Sequence, residues 1–281
     1  AQAIMRKLVR LLSGADIAFK KIDSLLRGHV AAELAECMSH FDHCILAPAF
    51  PFQGRITRNR RQLVKSGDDW RDTGVDLEAD LRRFGVAARI HDAVTDEDLD
   101  QIVSRGRALT GKVLWCGSAG LASALARHLP VPRPSLYQPI LALIGSDHPV
   151  SAGQLNRLGS VHLPIQAGNI AVPEGNAAVS VEIPAGIPRG QAGRIIANTF
   201  SALLTETTSR PGTLVVSGGE TLRLLCEELG ATGLLVNGQI EPGVPTSLLR
   251  GGPWDGQRIV SKSGAFGDPG LLARLLGIQS V

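Results

Sequence analysis

The chain reads as an α/β protein of two domains, each a largely parallel sheet flanked by helices. Three observations predict this. Short apolar runs that end in Gly or Ser recur, each followed by a segment with helical spacing, the mark of alternating strands and helices. The length of 281 residues is long for one compact domain and comfortable for two. The stretch "HLPVPRPSLYQP" (128–139) holds four prolines in twelve residues, which argues against regular structure and marks a boundary. The expected domains are therefore 1–132 and 133–281.

In chain order, "AQAIMRKLVRLL" has amphipathic helical spacing with Ile4, Leu8 and Leu11 on one face. The chain thus opens in mid-fold, and an upstream segment is expected. "DIAFKKID" and "HCILAPAFP" read as buried strands, with "VAAELAECM" helical between them. The basic run "GRITRNRRQLVK" and the acidic "DDWRDTGVDLEAD" after it read as a solvated loop and helix face. "KVLWCGSAG" (112–120) is a strand and small-residue turn leading into the helical "LASALARHL". "PILALIGSD" (139–147), "TLVVSGGE" (213–220) and "RIVSKSGAFGD" (258–268) repeat that pattern. "IPAGIPRGQAG" (183–193) reads as a loop, and "EPGVPTSLL" (241–249) as a loop after the apolar run "GLLVNGQI", with Gly243 at positive φ.

Composition excludes several classes. A net charge of +3 is too small to argue for a polyanion partner, and 4% aromatics leave few platforms for stacking bases, so no nucleic acid is expected. No apolar run reaches the length of a membrane span, and the first residues are not an apolar block, so neither a membrane anchor nor a signal peptide is expected. Cys37, Cys44, Cys116 and Cys226 form no CxxC pair and no zinc spacing, so no metal ligands are assigned; Cys44 and Cys116 lie in apolar runs and are expected to be buried free thiols, in keeping with a reducing cytoplasm.

The chemistry concentrates at strand ends, where ligands of parallel sheets sit. In the second half, "GSD", "SGGET" and "KSGAFGD" each place glycine before a helix, whose free N–H groups and dipole suit an anion. Ser146, Thr221 and Lys262 add hydroxyls and a cation, which together suit a triphosphate and its magnesium, although neither GxxxxGK[ST] nor GxGxxG is present. Plain turn chemistry explains the same glycines. In the first half, "KKIDSLLRG" sets Asp23, Ser24, Arg27 and Gly28 at the end of a strand, and "APAFPFQGR" sets Arg55 at another. Arg takes a carboxylate by a two-toothed grip, and Asp accepts or holds a hydroxyl proton, a combination suited to a small sugar acid. The alternative is a structural pair of Asp23 and Arg27 capping the next helix.

"KKIDSLLRG", "APAFPFQGR", "LWCGSAGLASALA", "GSDHPVSAGQL", "VSGGET", "EPGVP" and "KSGAFGDPGLL" occur in the order of the motifs of the four-carbon acid sugar kinases, and the chain resembles that family from about residue 15 onward. The resemblance implies an ATP-dependent, magnesium-requiring enzyme with a sugar-binding N-terminal and a nucleotide-binding C-terminal domain. It implies that Lys21, Asp23, Ser24, Arg27, Gly28 and Arg55 face the sugar acid, with Asp23 as the remaining catalytic candidate. Ser146, Gly218, Gly219, Glu220, Thr221, Gly243, Lys262 and Gly264 would contact ATP. The acceptor would be the terminal hydroxyl of an acid of the threonate or erythronate type, and a homodimer is among the expected states. The family's opening D-D-x-T-G-A segment is not in this chain, position 239 is Gln where relatives often carry Glu, and "RITRNRRQ" lacks the Gly usual after the Gly-Arg pair. An ATP-binding remnant without activity, and an unrelated α/β enzyme acting on a phosphorylated small molecule, are the alternatives.

Overall fold

The computed structural model describes residues 1–127, 129–168, 173–207 and 209–278. It is a mixed α/β protein of two units, Ala1–Pro130 and Val131–Val281, built on mostly parallel sheets flanked by helices. His128, at the head of the proline-rich stretch, lies outside the described residues; from residue 129 to residue 139 the chain forms neither helix nor strand.

The first unit runs α1 (Gln2–Ser13), β1 (Ala18–Lys21), α2 (Val30–Ala35), β2 (His43–Ala47), β3 (Arg55–Arg58), β4 (Arg61–Ser66), β5 (Asp69–Asp72), α3 (Leu77–Arg83), β6 (Arg89–Ile90), α4 (Asp96–Arg107), β7 (Val113–Gly117) and α5 (Ala119–Ala126). Its main sheet, ordered β1-β7-β2-β6, is parallel throughout. Successive side chains of a strand face opposite ways. Leu114 and Cys116 of β7 accordingly join a core with Leu34, Cys44 and Leu46, while Trp115 between them joins Ile45, Leu99 and Leu121 on the other face. Helix α4 is started by a capping box: the Asp98 N–H donates to Thr95 Oγ1, and the Asp98 carboxylate accepts from the Thr95 N–H. Cys37, Cys44 and Cys116 are buried free thiols; burial pushes Cys44 up to about 12 and also raises Cys116 well above the ordinary thiol value.

Two expectations for this unit are corrected. The basic run is not a loop and helix face. It forms the hairpin β3–β4, and β5 joins it as a third antiparallel strand before the acidic stretch turns into α3. Helix α1 exists, but Val9 is buried and Met5 and Leu12 pack beside it, while Ile4, Leu8 and Leu11 are exposed.

The second unit runs β8 (Ile140–Ile144), α6 (Pro149–Leu155), β9 (His162–Gln166), β10 (Ala177–Glu182), α7 (Arg189–Glu206), β11 (Thr213–Ser217), α8 (Gly219–Glu228), β12 (Gly233–Glu241), β13 (Val244–Arg250), β14 (Arg258–Lys262) and α9 (Leu271–Leu275). Its seven strands are ordered β12-β13-β14-β11-β8-β10-β9. β9, β10, β8, β11 and β14 are parallel, while β12 and β13 are an antiparallel hairpin on β14. Alternation again splits the strands between two cores: Leu141, Leu143 and Val216 on one side, Ala142, Ile144 and Val215 on the other. The expected loop 183–193 ends early, because α7 starts at Arg189, directly after Pro188. The expected loop 241–249 shrinks to Pro242 and Gly243, between the paired residues Glu241 and Val244. No described helix is long and apolar enough to cross a membrane.

Candidate functional site

Each unit gathers its polar residues at the carboxyl ends of its parallel strands. In the first unit, β1 ends at Lys21 and the chain turns sharply. Asp23 accepts from the N–H of Leu25 at 3.0 Å and of Arg27 at 3.3 Å. Leu26 sits at φ 61, in the left-handed region that a leucine rarely adopts, and is nevertheless buried; Gly28 follows at φ 101. Backbone strain of this kind is found where function requires a particular geometry.

That turn brings Asp23 and Arg27 together. Arg27 donates to both carboxylate oxygens, at 2.9 and 2.8 Å. The guanidinium, aided by the Leu25 and Arg27 N–H groups, holds the Asp23 carboxyl down at about 2. A carboxylate so engaged is a weak proton acceptor at neutral pH. The pair does not cap a helix, because α2 begins only at Val30 and its start carries no side-chain cap.

Ser24 is buried, and its hydroxyl accepts from Arg55 Nη1 at 2.6 Å. This bond joins the strand end of β1 to the start of β3. Arg55 is half-buried, and its Nε is enclosed with no hydrogen-bond partner. Burial pulls its pKa down, Asp23 pulls it up, and Arg27 pushes it down again, so these three charges share one neighbourhood. Two guanidinium groups around one carboxylate leave a net positive patch. Lys21 is exposed and donates to the Ile22 carbonyl at 2.8 Å, outside this cluster. Its neighbour Lys20 is the buried lysine, paired with Glu33 at 2.5 Å. Gly28 is exposed beyond Arg27.

Three further polar residues are buried in this unit: Gln62 and Thr57, which sequence reasoning did not single out, and Ser118, which lies in the small-residue turn after β7. The Ser118 hydroxyl donates to the Ala49 carbonyl at 2.6 Å, holding the start of α5 against the end of β2. Gln62 and Thr57 lie within a basic run whose charges hide any apolar pattern.

In the second unit, three strand ends are laced together. The Gly145 N–H donates to the Ser217 carbonyl at 3.1 Å and the Gly218 N–H to the Lys262 carbonyl at 3.0 Å. Gly218, at φ 112, precedes α8, whose first turn carries no side-chain cap, so its N–H groups are available to an anion. Gly219 at the first helical position has open space around it. Gly264 approaches so closely that a Cβ there would overlap Ser146 Oγ. Thr221 is buried with its hydroxyl against Gly145 and Gly218.

Lys262 is 3% exposed and donates to Ser217 Oγ at 3.0 Å. Burial lowers its pKa to about 8. Ser151 donates to the Gly264 carbonyl at 2.9 Å. Ser146, Gly218, Thr221, Lys262 and Gly264 are thus one assembly. Glu220 is exposed and lies 3.9 Å from Arg189. Gly243, at φ 80 in the β12–β13 turn, lies against the Phe266 ring, two residues beyond Gly264. Arg274 fastens the turn by pairing with Glu241 at 2.9 Å and with Asp268 at 2.6 Å, and holds Asp268 down at about 2.

Comparison with known proteins gives concordant results. A family model described as a sugar-binding N-terminal domain matches residues 1–80, and one described as a nucleotide-binding C-terminal domain matches residues 171–272. A D-threonate kinase of Cupriavidus necator is 28% identical over 326 residues, covering 90% of this chain and 78% of that protein. A D-threonate kinase of Bordetella bronchiseptica is 25% identical over 330 residues, covering 98% of this chain and 81% of that protein. Among solved structures, a protein of Haemophilus influenzae shares the fold at a TM-score of 0.65 with 19% identity, covering 99% of this chain and 86% of that one. A protein of Salmonella typhimurium LT2 shares it at 0.69 with 18% identity, covering 95% and 82%.

Proposed function

The chain belongs to the four-carbon acid sugar kinase family, and from that premise we propose that it transfers the γ-phosphoryl group of ATP to the terminal hydroxyl of a four-carbon sugar acid of the threonate or erythronate type. One observation carries the reading. Arg55 holds a buried, unpartnered Nε beside Ser24, close enough to the Asp23–Arg27 pair for both charges to act on it. A buried donor without a partner is costly unless a ligand supplies one. A sugar-acid carboxylate is such a ligand.

Arg55 is the better carboxylate grip, because Arg27 is already engaged by Asp23 on both oxygens. Asp23, with its depressed pKa, accepts a hydrogen bond from a substrate hydroxyl rather than removing a proton. Ser24, Arg27 and Gly28 shape the rest of the turn, and Lys21 adds charge at its edge. In the second unit the phosphates lie at the start of α8 and on the Gly264 loop, with Ser146 and Thr221 at their side and Lys262 beneath. Gly243 and Phe266 wall the pocket, and Glu220 stands at its rim. Magnesium arriving with the nucleotide supplies charge neutralisation of the phosphates.

In the transfer, the substrate hydroxyl oxygen forms a bond to the γ-phosphorus as the bond to the β,γ-bridging oxygen breaks; ADP leaves with that bond's electron pair, and the hydroxyl proton is released to solvent as the new ester forms. Phosphoryl transfer of this kind is loose, so positioning and electrostatics supply most of the catalysis and a strong base is not required.

The test is ADP release from MgATP across D- and L-threonate, D- and L-erythronate and 3-oxo-tetronates. Turnover with one acid and not its epimers is expected. Arg55→Ala should raise KM for that acid roughly 10- to 100-fold, the size of a charge-assisted hydrogen bond, and leave KM for MgATP unchanged. No turnover with any acid would overturn the reading.

A further inference from the structure

Gln62 of β4 is 1% exposed, and both ends of its amide are engaged. Its Oε1 accepts from Thr57 Oγ1 at 2.7 Å, and its Nε2 donates to the Ser24 carbonyl at 2.7 Å. The same Nε2 lies 3.5 Å from the Pro48 carbonyl, at the end of β2. Thr57 is itself fully buried, and its backbone exchanges hydrogen bonds with Ala93 at 2.9 and 3.0 Å. Ser24 is therefore held twice by one hairpin: Arg55 of β3 takes its hydroxyl, and Gln62 of β4 takes its carbonyl.

Side-chain amides are uncommon in cores, because every donor and acceptor must find a partner. Here they do, and the partners lie on three separate elements: β3, the turn after β1 and the end of β2. A buried leucine could serve neither group, and a buried lysine has no acceptor for the Thr57 O–H. The amide fixes the distance between the β1 turn, which carries Asp23 and Ser24, and the hairpin, which carries Arg55.

We propose that Gln62 is a positioning residue for sugar-acid recognition: it sets Ser24 and Arg55 relative to Asp23, and through them determines which epimer of the acid is accepted. This rests on the kinase reading above. Gln62 itself need not touch the substrate. Its role is to hold the carboxylate grip at a fixed distance from the hydroxyl grip, and epimers differ in which hydroxyl reaches the second when the first is engaged.

The experiment compares kcat/KM for the preferred acid and its epimer in the parent chain and in Gln62→Met, with KM for MgATP and the melting temperature measured alongside. KM for the preferred acid is expected to rise about 10-fold and the epimer ratio to fall about 10-fold, with KM for MgATP unchanged. The ratio is the deciding quantity, since a loss of folded enzyme lowers both rates equally and leaves it untouched. Thr57→Val and Thr57→Ser serve where Gln62→Met folds poorly. Removing the hydroxyl should lower the epimer ratio about 3-fold, and Thr57→Ser should restore it to within about 2-fold of the parent. An unchanged ratio in folded Gln62→Met or Thr57→Val overturns the proposal. Absence of turnover in the parent chain is a different result, and it overturns the kinase reading together with this inference.

Discussion

The polar groups gathered at the end of β1 and the start of β3 are side chains: Asp23, Ser24, Arg27 and Arg55. At the ends of β8, β11 and β14 the main offering is backbone, with glycines at 145, 218, 219 and 264 opening the way to helix N–H groups and a single buried cation beneath them. On the function proposed above, these side chains would read a small chiral acid, whose hydroxyls and carboxylate point in set directions. A phosphate chain has no such detail, and backbone dipoles suffice for it. The first region is therefore open to change of specificity one residue at a time, while the second tolerates little at its glycines and much elsewhere.

The largest test of that contrast is Gly219→Val. Nothing in the protein lies within 4 Å of the added Cβ, so the fold should keep its melting temperature. The valine would occupy space above the start of α8, and MgATP affinity should drop roughly 100-fold or more, the loss of two charge-assisted backbone hydrogen bonds. Isothermal titration checks it, and wild-type affinity in the variant would remove α8 from the nucleotide site.

Lys262→Met separates charge from fold. The folded pKa of about 8 lies below the ordinary 10.5, so the unfolded chain binds the extra proton between those values. Through this group, stability rises with pH across roughly 8 to 10.5, and burying the charged form at neutral pH costs on the order of 3 kcal/mol. Lys262→Met should be more stable than the parent at pH 7 and lack that alkaline rise, while binding MgATP about 10-fold more weakly. Urea midpoints at pH 7.5 and 9.5 measure the first effect. A parent that loses stability relative to the variant over that interval would show the sign to be wrong.

Asp23→Asn gives the smallest effect. The folded carboxyl titrates at about 2 against an ordinary 3.8, so its contribution is complete above about 4 and is lost as pH falls toward 2. The Arg27 side chain is 74% exposed, which keeps the contribution under about 1 kcal/mol. Acid unfolding of the two proteins should converge near pH 2; curves that stay parallel from pH 6 to pH 2 would mean that the pair contributes nothing.

The strand, turn and helix units were legible in the sequence because their signals are local: an apolar run, a glycine, then helical spacing. The strand ends, and with them the places where polar residues would gather, follow from those signals. The hairpin β3–β4 was not legible. Its turn, Asn59 and Arg60 at φ 50 and 62, normally calls for glycine at the second position. Here Asp92 holds it, accepting from both N–H groups at 2.7 and 2.8 Å from more than thirty residues away. Gln62 was hidden for the same reason, since its partners Ser24, Pro48 and Thr57 are set by that hairpin. In α1 the spacing identified the helix but not which apolar stripe would be covered. Met5, Val9 and Leu12 are as regular as Ile4, Leu8 and Leu11, and only the neighbouring elements decide between them.

The buried thiols give the molecule a built-in chemical clock. Cys44 and Cys116 lie in the core of the first unit with their ionisation suppressed, so an alkylating reagent meets a reactive thiolate there only when that core opens. Cys226 lies half-buried on α8 in the second unit. The rate at which each is modified counts openings of its own surroundings, residue by residue, with no label to introduce. A ligand that binds only the closed form slows that count in proportion to its occupancy, so these cysteines can report which unit a ligand has chosen.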